Sequence, residues 1–179
     1  RSGPDQAYAY WPRIREQFND AEHAYFMAHL ADQASRRLNP SALSWFMEAA
    51  GSSTPVALSD AQLGWKTRAA LRAGDWDSVL DTIDAMSAQE QQLGVWRYWK
   101  SRALKAQGRT AEANVILAPL SKEHNFYGQL AEEDLGVSIS APAESHKATR
   151  QEIAGIERLP GIRRALTLYR LNLRTEAAR

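Results

Sequence analysis

Residues 65–83, WKTRAALRAGDWDSVLDTI, and residues 99–117, WKSRALKAQGRTAEANVIL, are two versions of one pattern. Trp65 and Trp99, Arg68 and Arg102, Ala69 and Ala103, and Gly74 and Gly108 are each 34 positions apart (99 − 65 = 34). A fixed period of about 34 residues is the mark of stacked helix–turn–helix units. The spacing inside each unit agrees. Gly74 and Gly108 stand where a first helix would end in a left-handed cap. Five residues after each glycine comes a small residue, Val79 or Ala113, and four further on a larger one, Ile83 or Leu117. That places a small and a large apolar residue on one face of the second helix, where helices pack closely. The pattern is tetratricopeptide-like in degenerate form and predicts an all-α, helical-hairpin α-solenoid.

Outward from this pair, apolar residues recur at three- and four-residue spacing and no stretch alternates with period two. Helices are expected over residues 20–37, 40–50, 59–73, 75–86, 87–107, 109–120, 125–135, 149–159 and 161–173. Ser59 with Gln62, and Ser87 with Glu90, have the spacing of capping boxes. Asp75 is placed to cap the helix carrying Val79, Leu80, Ile83 and Met86, and Gly136 closes the helix that begins at Asn125. Pro160 must break the helix before it, because it lacks the N–H and clashes with the preceding turn. The stretch from Val137 to Lys147, with Pro142 and several serines, reads as a connecting segment.

Composition narrows the function. Lys plus Arg is 22 and Asp plus Glu is 21, a net charge of +1 that gives no argument for nucleic acid or an anionic membrane as partner. No run reaches the roughly 18 apolar residues of a membrane span. Cysteine is absent, which excludes disulfides, thiolate catalysis and zinc–thiolate sites. His23, His29, His124 and His146 lack ligand spacing, and no metal or cofactor site is expected. There is no phosphate-binding loop and no Gly-x-Ser-x-Gly elbow. Glu132, Glu133 and Asp134 are adjacent in sequence, so on a helix they splay about 100° apart and cannot face one another; a solvated acidic face is expected. Trp65 and Trp99 fill the same gap between helices in successive units, or else serve as sugar-stacking platforms. Arg68 and Arg102, one turn further on, form a solvated or salt-bridged face, or a row of cations along the inner side of the solenoid. Arg163, Arg164, Arg170 and Arg174 form a late basic cluster on a predicted helix.

Several of these segments carry a family resemblance. The stretch Val95–Leu104 (VWRYWKSRAL), then Gln107–Ala113 (QGRTAEA) and Asn125–Gly136 (NFYGQLAEEDLG), resembles the superhelical region of the soluble lytic murein transglycosylases. Arg68–Leu71 with Asp75 and Trp76 resembles the preceding repeat, and Ile156–Leu166 (IERLPGIRRAL) resembles the linker domain that follows the superhelix. The resemblance covers about residues 59–179, in the family's order. It implies the C-terminal part of a superhelical domain over residues 1–136, a connection over 137–148 and the start of a linker domain over 149–179. It also implies a periplasmic setting and a parent enzyme that cleaves the β-1,4 bond between N-acetylmuramic acid and N-acetylglucosamine, giving a 1,6-anhydro product through a single glutamic acid. That glutamate belongs to a C-terminal lysozyme-like domain, in a Glu-Ser motif followed by Gly-Leu-Met-Gln.

No such motif is complete here. Glu144-Ser145 lies in the polar connecting segment, no Gly-Leu-Met-Gln follows, and a polar linker offers no apolar pocket to raise a carboxylic acid's pKa. The chain opens on Arg1 and ends at Arg179, where the catalytic domain would begin. It is therefore expected to be a mature or partial form without catalytic residues. The expected partners are glycan strands of peptidoglycan and the parent's own catalytic domain, with Arg163, Arg164, Arg170, Arg174, Arg68 and Arg102 as candidate contacts. The competing expectation is a tetratricopeptide-like scaffold that binds other proteins.

Overall fold

The computed structural model describes residues 3–137 and 147–178. Among these, every regular element is helical. The chain divides into two compact units, Arg1–Ile139 and Ser140–Arg179.

The first unit opens with α1 (Pro4–Tyr10) and two single-turn 3-10 segments. Sequence periodicity gave no helix there, because these turns are too short to show a period. Three hairpins follow. The first pairs α2 (Asp20–Arg36) with α3 (Ala42–Ala50). Asn19 starts α2 with a capping box: its side chain accepts from the Glu22 amide, and the Glu22 carboxylate accepts from the Asn19 amide.

The second hairpin joins α4 (Asp60–Ala73) to α5 (Trp76–Asp84). The Ser59–Gln62 box forms as expected. Gly74 turns the chain at φ +70° and Asp75 caps α5 through the Ser78 amide. The third hairpin joins α7 (Gly94–Ala106) to α8 (Thr110–Leu120), with Gly108 at φ +77°. Both turns therefore occupy the left-handed region that glycine enters without a Cβ penalty. Last in the unit, α9 (Phe126–Asp134) packs on α7 and α8.

The helix expected to run unbroken from Ser87 is divided. A single turn, α6 (Ala88–Gln91), ends before Leu93, and α7 starts afresh. The expected box is also only half made. Ser87 accepts from the Glu90 amide, but the Glu90 carboxylate is drawn away to the Trp96 indole N–H at 2.8 Å. The Ser87 amide donates to Asp60 instead, at 2.8 Å. Two tertiary partners override one local motif. Met86 is buried as expected but lies just past the end of α5.

The core of this unit is continuous across the hairpins. Met27, Phe46, Val79 and Ile83 have essentially no exposure and share one cluster with Trp96, Ala103 and Leu104. Tyr98, Leu117, Leu120 and Ala131 make a second cluster where α7, α8 and α9 meet. Small residues let the backbones approach. Gly64 of α4 leaves room for the Trp96 ring, which a Cβ there would meet at 3.1 Å.

The second unit contains α10 (Arg150–Glu157), α11 (Pro160–Arg170) and α12 (Arg174–Ala177). Thr149 and Glu152 form a capping box on α10, and Pro160 occupies the first turn of α11, where its missing N–H costs nothing. The last expected helix ends early. The chain turns at Asn172, φ +63°, and α12 follows. No residue of these three helices is buried.

Candidate functional site

The repeated tryptophans do not do the same job. Trp99 is half-buried and packs against both apolar clusters, as a gap-filler should. Trp65 is also half-buried, but its ring is a platform for cations. The guanidinium carbons of Arg36 and Arg68 each lie 5.1 Å from its centroid. Arg68 also lies 4.9 Å from the buried Trp96 ring and donates to the Gly64 carbonyl at 2.9 Å. One turn on, Arg72 donates to the Ser35 carbonyl of α2 at 3.3 Å. Arg36 is held by Asp32 at 3.0 Å, an ion pair whose carboxylate is nearly buried while its Oδ1 has no partner. Three arginines thus converge where α2 and α4 meet. The sequence marked only Arg68. Arg72 repeats it at helical spacing, but nothing local marked Arg36, which comes from the preceding hairpin.

Arg102, the repeat counterpart of Arg68, stands in different surroundings. It donates to the Tyr98 hydroxyl at 3.1 Å and lies 3.8 Å from Asp134. That hydrogen bond is the main reason its pKa stands above the ordinary arginine value. Lys105 reaches the same Asp134 carboxylate at 3.9 Å and its carbonyl at 2.9 Å. The acidic run of α9 therefore departs from expectation. Glu133 is exposed, Asp134 is half-buried against two cations, and Glu132 is buried rather than solvated.

A groove of about 650 Å³ lies beside α5, α7 and α8, floored by Leu80, Leu104 and Ile116. Most of its polar groups pair with one another, and Asp81 also lines it. Lys100 pairs with Asp84, Gln107 with Asp77 and Arg109 with Glu112. The first two contacts tie α7 to α5, and the third lies within the first turn of α8. On α4, burial pushes the pKa of the Lys66 ammonium down and the Asp81 charge opposes the shift.

The described histidines, His23, His29 and His124, are structural or exposed. The Trp11 indole N–H donates to His23 Nδ1 at 3.0 Å, and Nε2 lies 3.5 Å from Glu48, which also accepts from Tyr8. Among the described residues no group of histidines and carboxylates could hold a metal ion. His146 and the Glu144-Ser145 dipeptide lie outside the described residues.

In the second unit, Arg163, Arg164, Arg170 and Arg174 are all exposed. Arg163 and Arg164 border an open hollow of about 410 Å³ with Pro160, Thr167 and Leu168. Arg174 sits 5.5 Å from the Tyr169 ring. Among the described residues none of the four has an ion-pair partner. Beside them Ile153, Ile156, Leu159, Ile162, Leu166 and Tyr169 are exposed apolar side chains.

These observations can be set beside known proteins. No family model matches the chain. Two soluble lytic murein transglycosylases of Escherichia coli are each 31% identical to it over 71 residues, which is 40% of this chain and 11% of theirs. An inactive variant of the lytic transglycosylase Slt from Pseudomonas aeruginosa superposes on 99% of this chain and 29% of its own, with TM-score 0.72 and 22% identity. The 70-kDa soluble lytic transglycosylase in complex with bulgecin A covers 98% of this chain and 28% of its own, with TM-score 0.55 and 23% identity. The chain spans under a third of the length of these relatives. Sequence and structure thus both relate it to soluble lytic murein transglycosylases, and its all-helical fold is theirs over this span. No helix among the described residues is long and apolar enough to cross a membrane.

Proposed function

We propose that this chain is the non-catalytic superhelix and linker portion of a periplasmic lytic transglycosylase. In that reading the parent cleaves the bond between N-acetylmuramic acid and N-acetylglucosamine in peptidoglycan and releases 1,6-anhydro products. The helical hairpins hold glycan strands, and the second unit, with Arg163, Arg164, Arg170 and Arg174, docks the catalytic domain. The observation that carries the reading is the overlay of nearly the whole chain on under a third of a lytic transglycosylase, supported by the local 31% identity. The side-chain chemistry is compatible with it. Asp77, Asp84 and Glu112 of the first unit's groove are engaged by an amide or a cation, and such an arrangement suits a scaffold rather than an acid–base centre.

A paired digest tests the proposal. Purified peptidoglycan is incubated with this chain, and separately with the full-length gene product, and soluble products are read by mass spectrometry. Anhydro-muropeptides from the full-length protein alone are expected. Anhydro products from this chain by itself would place a catalytic acid inside it, with Glu144 the first to test. No products from either would favour a protein-binding solenoid. Reversal of Arg163 and Arg164 to Glu in the full-length protein is expected to reduce its activity on intact sacculi. Undiminished activity would remove those arginines from the docking surface.

A further inference from the structure

We propose that Arg36 and Arg68, which share the Trp65 ring, together with Arg72, which is anchored to the residue before Arg36, form a receptor for the carboxylates of a short acidic peptide. The three cations come from two helices, and among their described contacts only that of Arg36 with Asp32 is an ion pair. Arg36 and Arg68 share one indole ring at 5.1 Å each. Arg72 is anchored to the carbonyl of Ser35, the residue before Arg36. Like charges repel one another, and the attraction of the Trp65 and Trp96 faces offsets part of that repulsion. Asp32 offsets only part of the cluster's charge. Asp32 serves Arg36, and Glu90 is taken by the Trp96 indole N–H. Among the described residues Arg68 and Arg72 have no ion-pair partner.

The remaining donors define the ligand. A guanidinium has five N–H donors. Arg68 spends one on the Gly64 carbonyl and Arg72 one on the Ser35 carbonyl. All three arginines are exposed residues. A planar fork matches a carboxylate through two parallel hydrogen bonds, and stacking on a ring fixes its plane in advance. The half-buried Trp65 ring adds an apolar edge for the aliphatic part of a side chain. A ligand with two or more carboxylates on a short backbone uses these features together. The inference deepens the reading above and rests on it for the natural ligand, since peptidoglycan strands carry carboxylate-bearing peptides.

The experiment is a calorimetric titration of the 179-residue chain with acetylated triglutamate at low salt, with acetylated triglutamine and inorganic phosphate as comparisons. Saturable binding of triglutamate is expected, weakening as salt rises. Arg68→Gln and Arg72→Gln are each expected to weaken it by about tenfold at an unchanged melting temperature. Arg72→Lys, which keeps the charge and loses the fork, is expected to fall between wild type and Arg72→Gln. Triglutamine binding as well as triglutamate, or both Gln variants binding like wild type, would overturn the receptor. Phosphate binding as tightly as triglutamate would overturn the assignment to carboxylates. Retention of the chain on purified sacculi without triglutamate binding would reject the receptor and leave the functional reading standing. Triglutamate binding without retention would support the receptor and count against that reading.

Discussion

The helices before residue 138 and those after residue 146 draw on the same kinds of amino acid and end in opposite states. In the first unit, leucine, isoleucine and tryptophan from successive hairpins disappear into shared clusters. In the second, Ile153, Ile156, Leu159, Ile162, Leu166 and Tyr169 stay exposed although α11 segregates its apolar and basic residues well. Amphipathicity alone therefore does not make a core. A helix buries its stripe only when another stripe is available, which is why repeat units are stable in stacks and not singly. Among the described residues the second unit has its caps in place and buries none of its helical side chains.

Truncation of matching apolar residues measures this contrast most directly. Phe46 is 1% exposed in the first unit and Leu166 is 39% exposed in the second. Phe46→Ala is expected to destabilise the chain by about 3–5 kcal/mol, the usual cost of a buried phenylalanine. Leu166→Ala is expected to change stability by less than about 0.5 kcal/mol, as at other exposed sites. Tryptophan fluorescence during denaturant unfolding reads the first unit, since all six tryptophans precede residue 138. A large loss from Leu166→Ala in that signal would mean that α11 already has a partner within the chain.

Glycine gives the second comparison, with a change of sign. Gly128 in α9 and Gly155 in α10 both interrupt helical sequence. A Cβ at Gly128 would run into the backbone carbonyl of Glu123, whereas at Gly155 it would meet open space. Gly128→Ala is expected to cost about 1–3 kcal/mol through overpacking. Gly155→Ala is expected to stabilise α10 by up to about 1 kcal/mol, the helix-propensity difference. Thermal melts followed by circular dichroism would check both. Equal and small effects would mean that the turn between α8 and α9 yields easily.

How much of this was legible in the sequence follows the same division. Local signals were read correctly where their partners are local. Ser59 with Gln62, Asp75, and the glycines at 74 and 108 each act within four residues of themselves. The repeat period announced the hairpins because it records a packing rule applied twice. Signals failed where a distant partner competed. Glu90 was expected on the Ser87 amide, but the Trp96 indole holds the carboxylate and Asp60 holds the amide. Glu132 was expected in solvent and is buried. Trp65 and Trp99 were expected to be equivalent. Their surroundings differ because α2 places Arg36 beside one and α9 places its apolar face beside the other. The candidate site was thus half visible: Arg68 from the repeat, Arg36 only from the fold.

The smallest expected effect separates a charged cap from an uncharged one. The Thr149 hydroxyl caps α10, while the Asp75 carboxylate caps α5. Asp75 accepts from the Ser78 amide at 3.0 Å and from the Ser78 hydroxyl at 2.7 Å. These bonds, the amide first, hold its pKa below the ordinary aspartate value. A carboxyl with a depressed folded-state pKa stabilises the fold above its unfolded value and loses that contribution as pH falls through the folded one. Asp75→Asn keeps an oxygen acceptor for the amide, since Asn caps about as well as Asp, but removes the charge. At neutral pH the variant is expected to be less stable by under about 1 kcal/mol. The gap should close as pH drops below the ordinary aspartate range, because the wild-type carboxyl is then protonated too. Melting temperatures of the two proteins from pH 7 to pH 3 would show convergence. Parallel curves would mean that Asp75 holds α5 by geometry alone, and that the charge at the turn following Gly74 contributes nothing the repeat needs.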